Sequence, residues 1–361
     1  MAGDRSRDRL VGIQAGRGLA ATLVAVYHAA RMLVPEQYLG HMPTNMFAFG
    51  HAGVDFFFVI SGFIITFVHG HELGQPDRLA NYLWRRATRI YPVYWVVTAL
   101  VVALSLFSVH RDERLTPFNI VASLILLPHG REPLLGVAWT LEHEMLFYCV
   151  FALVLIRKEL AAPLAVTSLL LILGAWAFPG NPALDFLGDA YHLQFLMGII
   201  AALVVRGVSV PAAPALLVAG VIGFIVAGIL ENLGAFQTTG LVSKTVFGIA
   251  STVIVVGVAS AERQKLLTFG GVGMFFGAAS YSIYLIHTIA IGLTARVLAA
   301  SGVMHVVPDW AVLVVVSVVA ITAGLGLYAL IERPLMTGLR QLRSEPGSGR
   351  NRDAFPSANL R

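Results

Sequence analysis

Apolar stretches of about 17 to 25 residues recur along the whole chain, each long enough to cross about 30 Å of hydrocarbon as a helix. In lipid, backbone polar groups must be satisfied within a helix or within a closed barrel. A barrel would show alternating apolar and polar positions, and these runs do not alternate. Composition agrees: 57% of the 361 residues are hydrophobic and only 12% charged, with a mean hydropathy of +0.77. Soluble domains carry about 25% charged residues. The expectation is an all-α polytopic membrane protein.

Ten spans are read, at 10–33, 47–68, 90–108, 138–156, 161–178, 189–206, 212–230, 242–260, 272–298 and 309–331. The apolar segment 117–128 is too short to cross and is expected to be interfacial or re-entrant. Placing the N-terminus inside puts Arg5, Arg7, Arg9, Arg78, Arg85, Arg86, Arg89, Arg157, Lys158, Arg206, Arg263, Lys265 and the tail arginines on the cytoplasmic side. Only Arg31, Arg111, Arg114, Arg131, Lys244 and Arg296 fall outside. Lys and Arg orient spans by staying cytoplasmic, so both termini are expected there. The first run lacks a small-x-small cleavage site and reads as a permanent span. Residues 1–336 form one membrane domain, and 337–361, polar and arginine-rich, a disordered basic tail beside anionic lipid. The single cysteine, Cys149, sits in an apolar run and is expected to be a small buried hydrophobe.

Ionisable groups inside spans are expensive and mark function. Arg17 and His28 are eleven residues apart on the first span. On a helix this returns to within about 20° of the same face and separates them by about 16 Å. Asp55 opens the second span in GVDFFFVISGFII and needs a partner, for which His28 is at similar depth. In the same run Ser61 is a possible donor to substrate, although Gly53, Ser61 and Gly62 read more simply as close-packing residues. Arg86 and Arg89, in RRATRIYPVYW, share a face. They serve either as topology anchors beside interfacial Tyr91, Tyr94 and Trp95 or as a phosphate clamp. Glu144 in WTLEHEMLFY shares its face with Phe147 and Tyr148, and Ser280, Tyr284 and His287 line one face in SYSIYLIH. Glu332 precedes Arg333-Pro334 as an inner-boundary cap or ion pair. No metal site is read.

The ordered set RGLAATLVAVYH, GVDFFFVISGF, RRATRIYPVYW, WTLEHEMLFY, SYSIYLIH and ERP resembles the acyltransferase 3 family. Within it, WTLEHEMLFY and SYSIYLIH look most like the exopolysaccharide-modifying, ExoZ-like branch. The matches run from residue 17 to 334. The resemblance implies a bacterial inner-membrane O-acyltransferase that moves an acyl group, usually acetyl from acetyl-CoA, to a hydroxyl of a surface carbohydrate. It implies no bound cofactor and no nucleic-acid partner. The family's Arg-x10-His pattern falls on Arg17 and His28, its Arg-x-x-Arg on Arg86 and Arg89, and its glutamate before Phe-Tyr on Glu144. On that reading the arginines bind the donor, His28 is base or acyl carrier, and Asp55 or Glu144 orients the imidazole. Ser61, Ser280, Tyr284 and His287 would line the substrate path. The competing readings are a flippase for a lipid-linked sugar and a succinyl-CoA-dependent transferase.

Overall fold

The computed structural model describes residues 10–107 and 113–343. The N-terminal arginines, Arg111 and most of the predicted tail lie outside the described residues. The described chain is helical and contains no strand. In order, the helices are α1 (Val11–Met32), α2 (Gly53–His69), α3 (Leu79–Leu106), α4 (Pro117–Ile125), α5 (Trp139–Ile156), α6 (Ala161–Ala177) and α7 (Pro182–Leu187). They continue with α8 (Tyr191–Gly207), α9 (Ala213–Asn232), α10 (Leu241–Arg263), α11 (Gly271–Ala300), α12 (Asp309–Leu327) and α13 (Arg333–Arg343).

Among the described residues nine helical segments are long and apolar enough to span a bilayer. They coincide with the second to tenth predicted spans. The first predicted span, α1, has the length of a crossing helix, 22 residues or about 33 Å, but Gln14, Arg17 and His28 lower its hydropathy. It tolerates them because it packs against α2, α10, α11 and α12 instead of facing lipid. α6 and α9 lie on the rim, with Leu170, Leu173 and Ile222 exposed. The chain is therefore a multi-pass membrane protein whose most polar span is internal.

Three expectations change. The third span begins eleven residues earlier than read, at Leu79, and runs for 28 residues. Arg86 and Arg89 are thus carried inside a helix, and Pro92 is accommodated within it. The predicted tail is helical as far as Arg343, continuing α13 past the expected boundary at residue 336. Cys149 is exposed on the outside of α5, not buried.

The segment 117–128 forms the nine-residue helix α4, capped by Thr116 and stopped by a left-handed Leu126. Its last carbonyls have no partner within the helix. Tyr91 donates its hydroxyl to Ile125 O (3.0 Å), Tyr94 to Ser123 O (2.7 Å), and Trp95 its indole N–H to Leu124 O (2.9 Å). The aromatics read as an interfacial belt are thus the cap that lets a helix too short to span end beside α3.

Candidate active site

α1 and α11 run parallel in the same direction, and their close approach sets the site. A Cβ on Gly277 would stand 2.1 Å from Gln14 O, and one on Gly18 would stand 2.9 Å from the Phe276 carbonyl carbon. Small residues there let the two backbones touch. His28 is ten residues beyond Gly18 and His287 ten beyond Gly277, so the shared rise of about 15 Å brings the two imidazoles level. His287 Nε2 lies 3.2 Å from His28 Nδ1, with the ring centroids 4.9 Å apart.

Their protons follow from the backbone. His287 Nδ1 is 2.6 Å from Tyr284 O, and His28 Nδ1 is 3.0 Å from Val24 O. A carbonyl oxygen only accepts, so in neutral rings each Nδ1 carries the hydrogen. His287 Nε2 then accepts from the His28 Nδ1–H, which is shared with Val24 O. His28 Nε2 keeps a free lone pair, with no hydrogen bond to it among the described residues.

Toward the N-terminal end of α1, the three predicted arginines converge. Arg17, Arg86 and Arg89 all lie within electrostatic reach of one phenol, Tyr148. Arg89 pairs with Glu332 at 2.7 Å, stacks over Tyr281 with Cζ 5.3 Å from the ring, and is held further because Ser282 donates to the other Glu332 oxygen at 2.6 Å. Glu332 closes a single π-turn, Tyr328–Glu332, after α12. Such turns are frequent at functional sites. Arg86 donates to His69 Nε2 at 2.9 Å, which leaves the His69 proton on Nδ1 and directed to Glu72 at 2.6 Å. Arg17 donates to Gln14 at 3.2 Å and faces Arg89, Glu144 and Glu332. Glu144 accepts from Ser61 at 3.0 Å and from Tyr148.

Several sequence assignments change here. Neither Asp55 nor Glu144 orients His28; Val24 O and His287 do so. Asp55 accepts from Gln194, whose amide also donates to Lys244 O, in a separate network where Lys244 pairs with Asp189 at 2.7 Å. A carboxylate on the first turn of α2 is held by α8 and α10, because those helices cover that end of α2. Ser280 is fully buried and returns its hydroxyl to Gly277 O at 2.8 Å, so it lines no path. Tyr284 bonds to Thr140 at 2.9 Å and Val137 O at 3.2 Å. Ser61, read as packing, donates to Glu144, while Gly62 does pack, directly onto the Phe195 backbone. The reading missed Ser282 and the His69–Glu72 pair, and named Tyr148 only as sharing the face of Glu144. The His69–Glu72 pair had a local signal in its three-residue spacing and Tyr148 in its four-residue spacing from Glu144, whereas Ser282 had none.

An imidazole with one open, basic nitrogen can accept a proton from a hydroxyl. A low-dielectric well with three guanidiniums and two carboxylates carries net positive charge and favours an anionic group. The two lie at different depths along α1.

The acyltransferase 3 family model, described as an acyltransferase domain, matches residues 10–329. Exopolysaccharide production protein ExoZ of Rhizobium meliloti (strain 1021) is 32% identical over 314 residues, 83% of this chain and 94% of that protein. Protein 2 in picA locus of Rhizobium radiobacter is 28% identical over 195 residues, 47% of this chain and 97% of that protein. No solved structure matches. The match over nearly the whole membrane part makes the protein an acyltransferase and sets aside the flippase reading. The chain belongs to the acyltransferase 3 family.

Proposed function

We propose that the protein transfers an acyl group, acetyl from acetyl-CoA in the simplest case, to a hydroxyl of an exported or cell-surface polysaccharide. The observation that carries this reading is the open Nε2 of His28 set along one helix face from the arginine well. The likeness to ExoZ, named for exopolysaccharide production, supports a carbohydrate acceptor. The charge asymmetry of the loops supports a bacterial inner membrane with both termini cytoplasmic. The arginines then face the side where acyl-CoA is made.

In this mechanism Arg17, Arg86 and Arg89 hold the donor phosphates through charge-assisted hydrogen bonds. Glu332 fixes Arg89, and the charges of Glu332 and Glu144 offset the repulsion among the guanidiniums. The thioester end reaches along α1 to His28. As the acceptor hydroxyl oxygen attacks the thioester carbonyl carbon, its proton passes to His28 Nε2. The positive ring is steadied by Val24 O and by His287, which retains its own proton on Nδ1. Collapse of the tetrahedral intermediate breaks the carbon–sulfur bond, and His28 returns the proton to the departing sulfur. Asp55 acts at a distance, holding α2 against α8 and α10.

The test is purified protein in nanodiscs with radiolabelled acetyl-CoA and, in parallel, succinyl-CoA, following CoA release and transfer of label to polysaccharide. Acceptor-dependent CoA release with acetyl-CoA that is lost in His28→Ala is the expected result. Turnover with succinyl-CoA alone would change the donor, and full turnover by a folded His28→Ala protein would overturn the mechanism.

A further inference from the structure

A pocket of about 290 Å³ opens where α8 and α10 end, lined by Arg206, Arg263, Gln264, Ser260 and the turn at 207–209. It lies on the side of the bundle where α1 begins, since Glu262 at the end of α10 accepts from the Val11 and Gly12 amides at 2.7 and 2.9 Å. That bond turns the neighbouring carboxylate toward α1, and no acidic residue lines the pocket. Its volume is just below the range of about 300–1,000 Å³ typical of small-molecule sites, enough for a phosphate and part of what it is attached to.

Arginines that only anchor a topology extend toward water and headgroups. Here both residues are exposed, yet each guanidinium also reaches back to a backbone carbonyl. Arg206 Nη1 donates to Thr66 O at 3.3 Å, and Arg263 Nη1 donates to Val205 O. Arg206 comes so near α2 that a Cβ on Gly70 would stand 2.5 Å from its Nη1. Each guanidinium has five N–H donors, so one tether apiece leaves most of both forks for a ligand. Gln264 covers Val210 O at 2.8 Å, so with Arg263 on Val205 O two carbonyls beside the pocket are already occupied. The third feature is Ser260. It is 4% exposed, it lines the pocket, and its Oγ has no hydrogen-bond partner among the described residues. Buried hydroxyls are almost always partnered. Two tethered guanidinium forks around an orphaned buried hydroxyl make a donor-rich cradle.

We infer that this pocket is an anion site for a phosphate ester, separate from the arginine well around Tyr148. Two sources present that chemistry on this face: the headgroup of an anionic phospholipid and a soluble nucleotide carrying a phosphomonoester. Binding is measured without turnover, so the result stands apart from the proposed transfer reaction.

The full chain is compared with the double variant R206Q/R263Q and with S260A, which removes one oxygen and leaves both tethers in place. Phosphatidylglycerol retention is read by native mass spectrometry from nanodiscs, against phosphatidylcholine. Adenosine 3′,5′-bisphosphate binding is read by equilibrium dialysis in uncharged detergent, with R157Q, an exposed arginine outside both arginine clusters, as the control. The expected result is loss of about tenfold or more in one ligand for the double variant, with a smaller loss in S260A and none in R157Q for the same ligand. Loss confined to phosphatidylglycerol assigns a lipid site, and loss confined to the bisphosphate a nucleotide site. Wild-type binding of both ligands by the folded variants would overturn the proposal.

Discussion

His287 presents its Nε2 to Nδ1 of His28 at 3.2 Å, from a residue 259 positions further along the chain. The contact exists because α1 and α11 pack in parallel with Gly18 against Gly277, and both imidazoles stand the same number of residues further on. Through it, one histidine is left with a single open nitrogen. The first prediction follows directly. His28→Ala should lower the transfer rate by about 10²–10⁴-fold, the range for a lost general base. His287→Ala should cost less, on the order of tenfold, because Val24 O still holds the His28 proton. Steady-state rates with radiolabelled donor check both, and equal losses would argue that His287 itself handles the proton.

Packing at the helix crossing should control the chemistry from a distance. Gly277→Val forces the α11 backbone off Gln14 O, and displacement at residue 277 carries to His287 along a rigid helix. The variant should lose most activity and also melt earlier. Gly326→Ala, on α12 with open space around its Cα, should leave both unchanged. Melting curves in detergent beside activity measurements separate the two.

The Arg89–Glu332 pair is buried most deeply at its acidic end, where the side chain is 2% exposed against 27% for the arginine. Removing one partner leaves an uncompensated charge, and such changes cost about 3–5 kcal/mol. Arg89→Met alone should therefore destabilise strongly. Adding Glu332→Leu should recover part of the stability without recovering donor binding. Denaturation in SDS reports the first quantity and acyl-CoA titration the second.

The cap of α4 is open to a similar test. Tyr94→Phe removes the hydroxyl that meets the buried Ser123 carbonyl, which keeps the Leu126 N–H at 3.0 Å, and should cost about 1 kcal/mol. Tyr91→Phe, at the exposed Ile125 carbonyl, should cost less than half as much because water replaces the bond. Proteolysis near residues 126–135 would register the loosening.

One pH dependence lies outside the spans. His41, in the loop before α2, sits 2.6 Å from Asp309 at the start of α12. The hydrogen bond to Asp309, with the Leu39 carbonyl and the nearby negative charge, raises its pKa above the ordinary 6.5. A raised histidine pKa means the tie is fully present below pH 6.5 and is lost as pH rises through the raised folded value. Protease cleavage in the 36–46 loop should increase over that rise, and His41→Ala should cleave at the higher rate at every pH. A flat wild-type profile would show that the tie does not hold the loop.

Much of the architecture could be read from composition and residue spacing. A bilayer sets helix length, and the run lengths of apolar residues declare it without reference to any partner. Arg17, His28, Arg86, Arg89 and Glu144 could be singled out because a charge in a span demands an explanation wherever it points. What they touch was another matter. Asp55 has the depth to meet His28 yet turns to Gln194, and Ser280 has the right helical face yet bonds to its own backbone.

The sequence by itself determined that the chain spans a membrane, roughly where each helix crosses, and which buried polar groups are candidates for chemistry. These properties depend on local residue type and on the solvent. Only the tertiary structure decided which histidine keeps an open nitrogen, that three arginines share one phenol, and that Tyr91, Tyr94 and Trp95 cap α4. Those depend on how helices far apart in sequence rotate and slide against one another. In hydrocarbon that register is set by close packing of small residues such as Gly18 and Gly277, not by any periodicity one helix carries alone.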